Sequence, residues 1–187
     1  MTVELITAWA AVATAIVIGA SAVAALVQLR HLRASNQLEA ILTLERDFRS
    51  PEIQSALLYA QRDLPEKLRE RAYREALERR GFIDPQTHPE LVACNWFNTV
   101  GTLLKHDLIT EKTFMDLFAR LIAYYWEILG PAIVIMRRTR GEMQYHDFEY
   151  IAEKAREWIA RHPSGAFPKP IARKTLQDEW QTVDAER

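Results

Sequence analysis

Cysteine is nearly missing from this 187-residue chain, Cys94 being the single one. One thiol excludes an intrachain disulfide framework and any cysteine-rich zinc module. Glycine is scarce as well, with six residues, and none sits in a Walker A loop or a G-x-G-x-x-G fingerprint. The five histidines, His31, His88, His106, His146 and His162, include no pair at i, i+4, so no H-E-x-x-H helix exists. Nor is there an EF-hand loop or any readable set of metal ligands. The expectation is therefore no metal, no cofactor and no catalytic constellation. An excess of either charge is lacking too: 24 Lys and Arg stand against 25 Asp and Glu. That balance excludes the basic footprint of a nucleic-acid binder.

The most informative absence is local. Lysine and arginine do not occur before Arg30, and Glu4 is the lone acid there. Between Glu4 and Arg30 lies the uncharged run Leu5 to Leu29. As a helix, a run of that length extends roughly 37 Å at ~1.5 Å per residue, enough to cross a hydrocarbon core about 30 Å thick. Ile6, Val12, Ile16, Val17, Ile18, Val23, Leu26 and Val27 supply the apolar weight, Trp9 suits a headgroup boundary, and no polar stripe recurs at helical period. Ala20-Ser21-Ala22 has the form of a signal-cleavage tripeptide, but the basic segment that opens a signal peptide is missing. The run reads as a transmembrane helix over 5–29. Arg30, His31 and Arg33 flank its C-terminal end, so the positive-inside rule puts residues 1–4 outside and residues 30–187 in the cytoplasm, on a single-pass inner-membrane protein. A lone Cys94 is compatible with that reducing side. Small residues at Ala11, Ala15 and Gly19, four apart, give a stripe on which two copies can approach, which sets up an expectation of a homodimer.

Beyond Arg30 every regular element reads as helix. An apolar side continues through Leu38, Ile41, Leu42, Leu44 and Phe48, giving a helical stalk over 30–49. Ser50-Pro51-Glu52 is a cap, a first-turn proline and a dipole-matched acid, and so a restart. Leu64-Pro65 starts another, charge-dense helix that runs to about Arg80, with Gly81 to end it. Further helices follow over 89–105, from Thr110 as a cap onward, and from Asp147 as a cap through Ile159. Gly101 inside the first of these implies a close backbone neighbour, since glycine otherwise costs ~1 kcal/mol there. Gly130-Pro131 should kink or break the second. Leu117 to Met136 is long enough for a second span, but Arg120 and Glu127 lie within it and a central charge costs about 2.5–3.5 kcal/mol; a core helix is the better reading. The fold class is all-α: a membrane helix, the stalk, a cytoplasmic bundle of about five helices over 50–165, and an irregular tail over 166–187.

Two polar groupings stand out. Arg137, Arg138 and Arg140 end a helix, where cations complement the dipole and where anionic lipid headgroups or a phosphorylated ligand could bind, at roughly 1 kcal/mol per base near an anionic surface. His146 and Glu149, in Tyr145-His146-Asp147-Phe148-Glu149-Tyr150, could form a polar pocket with those arginines, although acids also simply favour a helix start. Cys94, beside Trp96 and Phe97, reads as a small core residue and not a nucleophile.

Ser50-Pro51-Glu52, His88-Pro89-Glu90-Leu91, Asn95-Trp96-Phe97, Gly101-x-Leu103-x-Lys105, Arg137-Arg138 and Tyr145-x-x-Phe148-Glu149-Tyr150, in this order and spacing, resemble a bacterial family known as domain of unknown function 4760. The resemblance covers nearly the whole chain and implies one N-terminal span with a helical remainder. It implies no activity. His106-Asp107-Leu108-Ile109 departs from the family's glycine before the Leu-Ile pair. Two functions are open: an interaction or regulatory module held at the membrane, with an unidentified protein partner, or a membrane-tethered enzyme using residues near 137–149.

Overall fold

The computed structural model describes residues 2–168, 170–174 and 180. Of the expected terminal segments, Met1 and residues 169, 175–179 and 181–187 lie outside that set. Every regular element described is helical: α1 Val3–Phe48, α2 Pro51–Arg62, α3 Leu64–Lys67, α4 Arg71–Glu78, α5 Glu90–Lys105, α6 Glu111–Arg140 and α7 His146–Arg161. The fold is all-α as read from the sequence, with six helices after α1 in place of about five.

The difference arises between residues 64 and 80, where one helix was expected. Leu64 and Leu77 are both fully buried, yet thirteen positions apart on one ideal helix they would face nearly opposite sides. The chain instead breaks at Leu68–Glu70, and Arg74 donates from Nη1 to the freed carbonyls of Leu68 (2.8 Å) and Arg69 (2.7 Å). Charges left outside form i,i+3 and i,i+4 pairs, including Lys67–Glu70 at 2.9 Å and Arg71–Glu75 at 2.7 Å.

α1 is unbroken, and it is long and apolar enough over its N-terminal part to cross a membrane. Residues 2–36 are exposed throughout. From Gln37 onward its character changes: Ile41 and Leu44 are buried, and Phe48 packs its ring against Trp96 at 5.1 Å and Phe118 at 5.7 Å. The chain then turns at Ser50, whose hydroxyl accepts from the N–H of Ile53.

α5, α6 and α7 form the centre. Phe97 and Phe148 stack at 4.6 Å and Trp126 meets Phe148 edge-on at 5.0 Å. At Gly101 a Cβ would fall far inside contact distance of the Asp147 carbonyl, which is the close backbone neighbour that the glycine implies. α6 also passes the apolar length test for a span, but Phe114, Phe118, Ile122, Leu129, Ile133 and Met136 are buried against the other helices. Its charges are used within the fold: Glu127 pairs with Arg156 at 2.5 Å, and Arg120 donates to the Pro163 carbonyl at 2.7 Å.

Three local expectations are corrected. α6 does not break at Gly130-Pro131 but continues through it; Pro131 is on the exposed side, where water can satisfy the carbonyl that loses its helical donor. Asp147 does not cap α7. The capping position is Tyr145, with φ 57, and the Asp147 side chain turns to α5. Thr110 stands at the start of α6, but its hydroxyl donates to Gln37 Oε1 at 2.9 Å instead of capping. Asp107 adopts φ 54; Asp is among the few residues that tolerate this left-handed region.

Candidate functional site

The residues singled out from the sequence divide into three groups. Arg137 and Glu149 meet: Nη2 to Oε2 is 2.7 Å, and Arg137 Nε donates to the Gln144 carbonyl at 3.0 Å. Arg138 and Arg140 turn instead to the end of α4. Arg138 pairs with Glu78 at 2.7 Å, and Arg140 Nη2 donates to the carbonyls of Arg79 (2.6 Å) and Gly81 (3.1 Å). Thr139, between them, donates to the Glu78 carbonyl at 2.6 Å. The last turn of α6 thus grips α4 and α7 through the side chains of Arg137, Arg138, Thr139 and Arg140.

His146 belongs to the third group. Its Nε2 lies 3.1 Å from Asp147 Oδ1 and 3.3 Å from Lys105 Nζ, and its Nδ1 is 3.0 Å from the Met143 carbonyl. Asp147 is the hub. It accepts from Thr102 Oγ1 at 2.7 Å and from Lys105 Nζ at 3.0 Å. Burial works to raise its pKa, but the hydrogen bonds from Thr102 and Lys105 and the neighbouring His146 outweigh it and hold the carboxyl below the usual carboxylate value. Ala11, Ala15 and Gly19 lie on the exposed part of α1, with nothing near Gly19.

A fourth group escaped sequence reasoning. Glu90 opens α5 and is completely buried, 0% exposed. Tyr73 of α4 shares its O–H between both carboxylate oxygens, each at 2.7 Å. His88 Nδ1 lies 3.1 Å from Oε1, and Tyr59 of α2 donates to the Tyr73 oxygen at 3.1 Å. The Tyr73 phenol is pushed well up by burial and then by its bonds to Tyr59 and Glu90, so it stays a donor. Cys94, one turn along α5, has its thiol raised by burial and by the Glu90 charge, the opposite of nucleophile activation. The sequence did carry a signal: Glu90 falls on the stripe Cys94, Phe97, Gly101 and Leu104, so a carboxylate stands on the core face of α5.

Chemically, these groups are joints. Each ties two or three helices together, and their side chains turn to partners in the fold. Among the described residues no cluster of three His, Cys, Asp or Glu is placed to hold a metal ion.

By architecture, then, this is a helical domain built onto the foot of a long, apolar N-terminal helix. The chain belongs to the family described as domain of unknown function DUF4760, whose model matches residues 15–158, from within the apolar run to within α7. No curated protein and no solved structure matches it.

Proposed function

We propose that this protein is a single-pass membrane protein whose helical domain serves on the cytoplasmic side as an interaction or regulatory module. One observation carries the reading. The uncharged run of α1 exposes apolar side chains on every side while the same helix, from Gln37, is built into the domain. A helix apolar all round needs an apolar solvent. The family match, starting at residue 15, includes more than half of that run, which favours an anchor over a removable leader. Arg30 and Arg33 favour a cytoplasmic domain in the inner membrane. The polar groups favour a module over a tethered enzyme, because Arg137–Glu149 and His146 engage separate partners. Sealed right-side-out vesicles test the orientation: a C-terminal tag should resist added protease until detergent is supplied, and digestion without detergent overturns it.

The homodimer reading gains a constraint. Ala15 and Leu44 are 29 positions apart, about 20° on an ideal helix, so the Ala11/Ala15/Gly19 stripe faces the same side as the foot that packs on the domain. Pairing through that stripe brings two domains against each other, whereas lipid-facing contact elsewhere keeps them apart.

A further inference from the structure

α5 packs antiparallel to α1. Phe48 meets Trp96; Thr99 and Leu103 line one groove with Leu44, Ala40 and Asn36; and Gln37 approaches the Asp107 carbonyl at 3.5 Å while accepting from Thr110. Each step along α5 climbs α1 toward its N-terminus, so the α5–α6 corner at 106–110 is the end of the domain nearest the uncharged run. Lys105 draws His146 to that end, and His146 holds the Met143 carbonyl, bringing the loop before α7 to the same level. That end exposes two large apolar side chains, Leu108 at 56% and Met143 at 72%.

The spacing is short. Gln37 follows Arg30 by seven residues, about 10 Å of helix. The headgroup layer takes up roughly 5–7 Å of that on one side of a bilayer, and α1 has no glycine or proline between residues 20 and 48 at which to bend away. A rigid connection of this length leaves no room for a water-filled gap taller than a side chain or two.

We propose that this end of the domain lies on the headgroup surface of the membrane that α1 crosses, with Leu108 and Met143 entering the interface beside Arg30, Arg33 and Lys105. The proposal rests on the reading of α1 as a span. It replaces the picture of a domain carried clear of the membrane on a stalk, and it gives the domain a fixed orientation toward lipid.

Labelling of introduced cysteines in the full chain tests it. Leu108→Cys, Leu117→Cys and Val17→Cys are all at exposed positions, and the parent chain is the control because Cys94 is buried. Leu117 lines a groove with Glu45, Phe48 and Arg49, at the far end of the foot. Each variant is nitroxide-labelled in phosphatidylcholine–phosphatidylglycerol nanodiscs, and relaxation is compared for a nickel-chelating lipid and a water-soluble nickel complex. The expected result is severalfold stronger relaxation by the nickel lipid at 108 than at 117, with site 17 shielded from the aqueous complex. Equal response at 108 and 117 with site 17 shielded overturns the docking while leaving the span intact. Site 17 open to the aqueous complex overturns the span itself and the docking with it.

Discussion

Glu90 and Glu149 each accept a hydrogen bond that joins two helices, and there the similarity ends. Glu149 is 46% exposed and pairs with an Arg137 that is itself 18% exposed. Glu90 has no exposure and is met by a half-buried phenol and a buried imidazole. Water can take the place of Arg137 at Glu149 with little loss, whereas nothing can take the place of Tyr73 and His88 at Glu90. The cluster conspicuous in sequence, three arginines in four residues, lies at the rim. The one whose failure is costly is a single glutamate in an apolar helix.

The largest effect should follow from Glu90→Ala, which strands the Tyr73 hydroxyl and His88 Nδ1 in the core. Breaking a buried network by removing one partner costs about 3–5 kcal/mol, or roughly a 10 °C fall in Tm for a domain of this size, read by far-UV circular dichroism of the full chain in detergent. Glu90→Leu is the sharper variant, since a Leu that restored wild-type stability would show the network to be replaceable by packing. Gly101→Ala comes next. Its Cβ meets the Asp147 backbone, so overpacking should cost about 3 kcal/mol. Gly130→Ala, with open space around it, should gain up to ~1 kcal/mol from helix propensity in the same melt.

Asp147 sits between the two extremes, buried but tied to a half-exposed Lys105. Its folded pKa is depressed, so the unfolded chain binds its proton more readily. The stability it contributes is complete above the unfolded carboxylate pKa near 4 and is lost as pH falls through the folded value. Asp147→Asn should therefore be less stable than the parent at pH 7 by about 1–3 kcal/mol, with the gap closing as the pH falls below about 4. A gap unchanged between pH 7 and 3 would show that Asp147 acts by shape alone.

The helical architecture was legible because its causes are local. An uncharged run of 25 residues, the Ser50-Pro51 restart and the apolar faces of α5, α6 and α7 are properties of neighbours in sequence. Gly101 was legible too, since a glycine inside a strong helix asks for a close neighbour. What did not show was tertiary. Asp147 looks like a cap until Thr102 and Lys105 of α5 arrive to claim it. The break at Leu68–Glu70 depends on the need to bury Leu64 and Leu77 on one side. The second half of the expected stalk packs on the domain because α5 lies beside it, and the role of Glu90 did not show because its phenol partners come from α2 and α4.

The smallest effects mark the rim. Arg137 and Arg138 are adjacent and each faces a carboxylate at 2.7 Å, but Arg138 is 56% exposed and its partner Glu78 32%. Screening and side-chain entropy hold such exposed pairs to about 0–1 kcal/mol. A double-mutant cycle of Arg137→Ala with Glu149→Ala should give a coupling near 1 kcal/mol, since Arg137 is largely shielded and also binds the Gln144 carbonyl. The same cycle on Arg138 and Glu78 should give less than about 0.5 kcal/mol and vanish in molar salt. A coupling at Arg138–Glu78 as large as that at Arg137–Glu149 would mean that depth does not rank these contacts, and the contrast between Glu90 and Glu149 would lose its basis.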